Sequence, residues 1–174
     1  MKRGRKNSLQ DLTAEYLKSI LHYDPDTGIF TWRQMLSKRR VIGKQAGFMQ
    51  HKGRIKIGIN NQDYMLHRLA YLYMTGKWPE YEIDHINNNQ SDNRWCNLRH
   101  ATPWQNHCNK GLQKNNTTGY KGVCKPTGKN FYMAYIKHKG KRYHLGCFKT
   151  AEEAFAAYQK AAKQFQGPFV HKSS

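Results

Sequence analysis

The sequence predicts an α+β protein of two successive domains, and three observations carry that reading. Arg54–Ile59 alternates apolar and polar residues with the period of a strand, and the aromatic-rich Phe131–Ile136 also reads as a strand. Thr102-Pro103 and Thr150-Ala151-Glu152-Glu153 are strong helix starts that follow such strands. Between them lies Gly111–Thr118, polar and without period, which reads as a linker.

The elements follow in order. Thr13 reads as a helix N-cap with Leu12 and Leu17 as a hydrophobic staple. The helix is expected from Ala14 to about His22, burying Leu17, Ile20 and Leu21. Asp24-Pro25-Asp26-Thr27-Gly28 is a turn by its chemistry, because proline fixes one dihedral and glycine permits positive φ. Ile29–Trp32 reads as a strand, followed by the basic loop Lys38-Arg39-Arg40. Arg54–Ile59 and Asp63–Leu66 read as strands joined at Asn60-Asn61-Gln62, with Arg54 and Lys56 on one exposed face. A helix is expected from His67 to Met74, stopped at Gly76.

Beyond it the order is strand, loop, strand, helix. The first strand ends in Ile83-Asp84-His85, and the last helix starts at Thr102-Pro103 and runs to about Lys110. After the linker, Gly119–Cys124, Phe131–Ile136 and Lys141–Leu145 read as three strands. Thr150 and Glu153 form a capping box opening a helix with Ala154, Phe155, Ala157, Tyr158, Ala161 and Ala162 on its apolar face.

Charge narrows the function. The chain has 174 residues, with 30 Lys and Arg against 11 Asp and Glu, a formal net charge of +19. A polyanion is the expected partner, nucleic acid ahead of an anionic membrane. No apolar run approaches the roughly 18 residues of a membrane span, and Met1-Lys2-Arg3-Gly4-Arg5 leads into no signal-peptide core. A cytoplasmic protein without a membrane partner is expected. The cysteines Cys96, Cys108, Cys124 and Cys147 include no C-x-x-C pair and read as reduced thiols.

The richest stretch is Ile83–Arg99 with Gln105-Asn106-His107. It offers a carboxylate for a metal, an imidazole for a base, and amides to position them. Phosphodiester hydrolysis needs those parts: an activated water, charge relief on the phosphate and a stabilised leaving oxygen. As neighbours on a strand, Asp84 and His85 point to opposite faces unless the strand ends or bulges there. Asp92 and Asn93 read as loop-shaping caps. His107 lies about 100° around the helix from Asn106 and is expected to point elsewhere. His67 and His100 read as core or surface histidines, and Arg99 as a surface cation that could meet a DNA phosphate.

These residues, with Tyr23–Trp32 and His67-Arg68-Leu69-Ala70 upstream, resemble the HNH nucleases, above all phage homing endonucleases and their free-standing relatives. The resemblance covers roughly residues 10–112 and implies a ββα-metal fold around one divalent cation. It implies Asp84 as metal ligand, His85 as general base, Asn97 as the tie between the strands, and Asn106 as the second protein ligand. Asn106 stands where many members have His, which favours magnesium or manganese over zinc.

The C-terminal third carries 11 Lys or Arg from Lys121 onward and only Glu152 and Glu153 as acids. Gly119–Val123, Leu145-Gly146-Cys147-Phe148 and Thr150–Tyr158 resemble the ethylene-response-factor (Apetala-type) DNA-binding domain. That implies a three-stranded antiparallel sheet packed on one helix, with Lys121, Lys125, Tyr132, Lys137, Arg142 and His144 facing double-stranded DNA. Lys stands where Arg often reads guanine, so affinity is expected more than specificity.

The expected plan is a basic arm (1–10), a nuclease domain (11–110), a linker (111–118), a DNA-binding domain (119–168) and a tail (169–174). It reads as a site-selective DNA endonuclease of a phage-infected or bacterial cytoplasm, needing a divalent metal and no small-molecule cofactor. An inactive DNA-binding protein and a nonspecific nuclease are the alternatives that the same residues leave open. Oligomeric state is undetermined, since one such site acts on one strand.

Overall fold

The computed structural model describes residues 12–35, 40–50, 53–112 and 115–170. The basic arm 1–10, Lys38 and Arg39 of the basic loop, Gln113 and Lys114 of the linker, and tail residues 171–174 lie outside the described residues. By its internal contacts the chain forms two compact units, residues 1–102 and 103–174.

The first unit contains α1 (Ala14–Ile20), β1 (Leu21–Asp24), β2 (Ile29–Trp32), β3 (Phe48–Met49), β4 (Ile55–Ile59), β5 (Gln62–Met65), α2 (Leu66–Thr75), β6 (Glu82–His85) and β7 (Leu98–Ala101). All pairings are antiparallel: β1 with β2, β3–β4–β5 as one sheet, and β6 with β7. Thr13 caps α1, its hydroxyl accepting from the Tyr16 N–H, and the staple residues Leu12 and Leu17 are both buried.

The helix expected to reach His22 stops at Ile20, and a strand unforeseen in the sequence follows at once. Leu21 turns extended and pairs with Trp32, so that Leu21, Tyr23, Phe30 and Trp32 all enter the core. Another half-turn of helix would have added two hydrogen bonds and exposed part of that set. Burying large side chains, at roughly 1.5–3 kcal/mol each, outweighs it. The two-residue strand β3 also escaped the sequence reading. Helix α2 buries Leu66, Leu69, Ala70 and Leu72, and Gly76 ends it in the left-handed conformation, φ 76°.

In the second unit, α3 (Pro103–Asn109) precedes β8 (Val123–Cys124), β9 (Tyr132–His138), β10 (Lys141–Phe148) and α4 (Ala151–Gln166). The sheet is antiparallel in the order β8–β9–β10. Helix α4 packs on it through Ala154, Tyr158, Ala161 and Ala162, which meet Val123, Ala134 and Ile136 in two adjoining clusters. The capping box is complete, with the Thr150 hydroxyl and the Glu153 carboxylate each accepting from the other's backbone N–H.

The strand expected over Gly119–Cys124 is extended only at Val123–Cys124. Gly119 and Gly122 both have positive φ, and a Cβ at Gly122 would fall on the Tyr158 ring. The chain therefore turns under α4 instead of continuing a strand. Strands β9 and β10 run longer than expected, and a bulge between His144 and Gly146 lets Leu145 join the core. Among the described residues no helix is long and apolar enough to cross a membrane.

Gly28 shows how tightly the first unit is closed. Its φ is +73°, and a Cβ there would fall on the backbone of Asn93 and Arg94. Gly28→Ala is expected to cost more than about 2 kcal/mol in urea unfolding, from strain and displaced backbone together. Gly76→Ala has the same sign of φ and open space around it, and is expected to cost only about 1 kcal/mol.

Candidate active site

The site is built on the β6–β7 hairpin. Asp84 pairs across it with Arg99 and His85 with Leu98, so each side chain shares a face with its partner. The residues between them, 86–97, form no strand, and several of their backbone groups are satisfied by amide side chains. The Asn97 carboxamide accepts from the Asn87 N–H at 3.0 Å and donates to Asn87 Oδ1 at 3.0 Å and to the Asp92 carbonyl at 2.7 Å. The Ile86 N–H donates to the Asn97 carbonyl at 2.9 Å. Asp92 holds Arg94 through both carboxylate oxygens, at 2.8 and 2.7 Å, and its pKa is drawn well below the usual carboxylate range by that arginine.

Asp84 and His85 do point apart, and both are buried at 4% and 7% exposure. Asp84 Oδ2 accepts from Arg99 Nε at 2.9 Å and Nη2 at 2.8 Å, so the carboxylate charge is compensated within the hairpin. Arg99, expected on a DNA phosphate, is engaged with Asp84 here. His85 turns the other way, its Nε2 at 3.3 Å from Asn93 Oδ1 and its ring edge-to-face with His67 of α2 at 5.1 Å. Burial lowers its pKa, opposed by the Asn93 contact and the Asp84 charge.

Asn93, read from the sequence as a loop cap only, is thus also the partner of the imidazole, and it is 2% exposed. Only the folded loop brings it there, eight residues after His85. His67 likewise proves to be the ring beside His85.

Asn106 lies in α3, within the second unit, while Asp84, His85 and Asn97 lie in the first. His107 is exposed on the same short helix. Asp84 offers a carboxylate oxygen and Asn106 a carboxamide oxygen as donors to a metal ion. That set suits a hard divalent ion that keeps waters and phosphate oxygens in its shell. Among the described residues no group of three or more His, Cys, Asp or Glu side chains is gathered for a metal.

The second unit presents the other candidate surface. Alternation along β9 turns Ala134 and Ile136 to the helix and Tyr135 and Lys137 outward. Lys137 faces Arg142 across the hairpin, and Tyr135 faces His144. Arg142 stacks on the Tyr135 ring at 3.7 Å, with the His144 ring 5.0 Å from it. Lys125 is exposed, its ammonium 5.4 Å from the centre of the Tyr132 ring.

Two residues of the expected DNA face are placed elsewhere. Tyr132 shares the helix side with Ala134 and packs against the Val123–Ala134–Ala154 cluster. Lys121 donates from Nζ to the carbonyls of Cys108 and Lys110, 2.6 Å each, at the C-terminal end of α3. A cation there meets the negative end of the helix dipole and its unpaired carbonyls. Tyr135, not singled out from the sequence, holds the place on the outer face.

Residues 64–108 match the HNH endonuclease family. An uncharacterized HNH endonuclease of Acanthamoeba polyphaga mimivirus is 31% identical over 137 residues, covering 78% of this chain and 70% of that protein.

The histidine pair, His85 buried and His67 half-buried, predicts a pH effect on stability. Burial lowers the His67 pKa from 6.5 to about 3, so the folded chain binds this proton less readily than the unfolded one. Above pH 6.5 both states are neutral there and nothing is lost; stability falls as pH drops from 6.5 towards about 3. His67→Gln is expected to flatten that decline in urea unfolding measured at pH values across this window.

Proposed function

Since the chain belongs to the HNH endonuclease family, we propose that it is a metal-dependent DNA endonuclease with His85 as general base and Asp84 and Asn106 as metal ligands. The observation that carries the reading is that adjacent Asp84 and His85 are both buried, each held by its own partner, in a chain of net charge +19. Buried, oriented titratable groups on a strongly basic protein are what hydrolysis of a polyanion requires.

The family resemblance assigns the roles. His85 takes the proton of the attacking water. The cation, when bound, relieves charge on the scissile phosphate and stabilises the leaving oxygen. Asp84 and Asn106 would hold it through oxygen, which favours magnesium or manganese over zinc. Asn97 acts on the hairpin, fixing the loop that sets the spacing of the other groups. Arg99 is paired with Asp84 in the hairpin and is proposed to contact a DNA phosphate as well. The nuclease domain is proposed to span residues 11–110, a range supported by the family match continuing to residue 108.

Within the second unit, residues 119–168 are proposed to be a DNA-binding domain similar to the ethylene-response-factor type. Its support is the sheet packed on a helix and the exposed cations of the outer face. Lys125, Lys137, Arg142 and His144 are the proposed contacts, and Tyr135 joins them in place of Tyr132. Lys121 is left out because its ammonium is already bound to carbonyl groups. With a second footprint the protein chooses its site on double-stranded DNA, as phage homing enzymes do, in the cytoplasm of the cell that carries it.

Cleavage of supercoiled plasmid and of phage-type genomic DNA tests the reading. Cutting is expected with magnesium or manganese, to stop on chelation, and to fall about 10²–10⁴-fold in His85→Ala, the usual contribution of a general base. Equal cutting by wild type and variant overturns the assignment of the base. Scattered cut positions on a long duplex overturn site choice. Arg142→Ala is expected to weaken binding to all sequences and to reduce the slope of log K against log salt by about 1.

A further inference from the structure

We infer that Asn93 is a positioning residue that fixes the tautomer of His85 and so makes Nδ1 the atom that accepts the proton, resting on the endonuclease reading for the identity of the base. The argument starts from the amide. Asn93 Nδ2 lies 3.0 Å from the Ser91 carbonyl, which can only accept, so the NH2 group faces Ser91 and the oxygen faces His85. Asn93 Oδ1 is likewise only an acceptor, and His85 Nε2 is 3.3 Å from it. Nε2 therefore carries the hydrogen, and the basic lone pair of the neutral ring lies on Nδ1.

Asn93 is held from behind by a segment far away in sequence. The Tyr23 hydroxyl donates to the Asn93 carbonyl at 2.7 Å, and both residues are 2% exposed. The Trp95 N–H donates to the Pro25 carbonyl at 2.9 Å, so the β1–β2 turn grips the loop on both sides of Arg94. Gly28 lets that turn lie directly on the Asn93–Arg94 peptide, where a side chain would collide. The β1–β2 hairpin is thus a buttress for the imidazole: it holds Asn93, and Asn93 orients the ring. A side-chain partner that orients an imidazole from its far nitrogen is a common support for a working histidine.

Nuclear magnetic resonance of the full-length, metal-free protein with labelled histidine tests this without activity. Wild-type His85 at neutral pH is expected as the Nε2–H tautomer, and Asn93→Ala is expected to show a mixture. A wild-type Nδ1–H tautomer overturns the inference, and so does a tautomer that Asn93→Ala leaves unchanged. If Asn93→Ala does not fold, Tyr23→Phe decides, since it keeps the ring and removes only the hydroxyl. A partial shift in population supports the inference, and an unchanged ring overturns it. In cleavage assays Asn93→Ala is expected to lower kcat by ~10- to 100-fold with KM for DNA unchanged, short of losing the base altogether. A tautomer that responds as expected in a protein that never cuts DNA would sink the endonuclease reading and leave the positioning of His85 standing.

Discussion

The hydrogen-bonded loop between β6 and β7 is the constraint on which the rest of the first unit depends. Its backbone forms no ladder, yet it closes a hairpin whose two strands carry Asp84, His85 and Arg99 in register. Buried peptide groups without partners cost several kcal/mol, and the loop avoids that cost with asparagines. A carboxamide both donates and accepts, so Asn97 alone joins the Asn87 backbone, the Asn87 side chain and the Asp92 carbonyl. A carboxylate or a hydroxyl there would leave at least one of those contacts unmet. The Asn-rich composition of residues 87–97 is therefore a structural requirement before it is a chemical one.

Electrostatics then divides the two catalytic candidates. Neighbouring residues on a strand face opposite ways, and the hairpin uses this to keep the carboxylate and the imidazole in different surroundings. Asp84 meets a guanidinium in a two-nitrogen ion pair. His85 meets an amide and a second ring, and its burial favours the neutral form that can accept a proton. One face of the hairpin thus holds a carboxylate, and the other holds an imidazole.

The second unit applies a different principle. Its helix and sheet bury a small core of alanines, with Tyr158 seated where Gly122 makes room, and the opposite face of the sheet stays free of that core. There Arg142 lies flat on Tyr135, which fixes a long cationic side chain at little further cost in rotamer entropy. Lys121 spends its charge on the end of α3, tying the short helix that carries Asn106 into this unit.

Much of this was legible in the sequence because it depends on near neighbours. The caps at Thr13 and Thr150, the stop at Gly76 and the hairpin turns are set by a few adjacent residues, and the structure has them where the sequence put them. The candidate chemistry of Asp84, His85, Asn97 and Asn106 was likewise visible as residue types at recognisable spacings. Tertiary structure decided what adjacency cannot encode. Leu21 left its helix because a strand eight to eleven residues away offered a better-buried partner. Tyr132 went to the helix side because strand alternation, counted from the paired residues, left it no other. Asn93 became the partner of His85 because Tyr23, 70 residues earlier, holds its backbone in place. Local propensity chooses the elements; which side chain meets which is fixed only when distant segments compete for the same buried space.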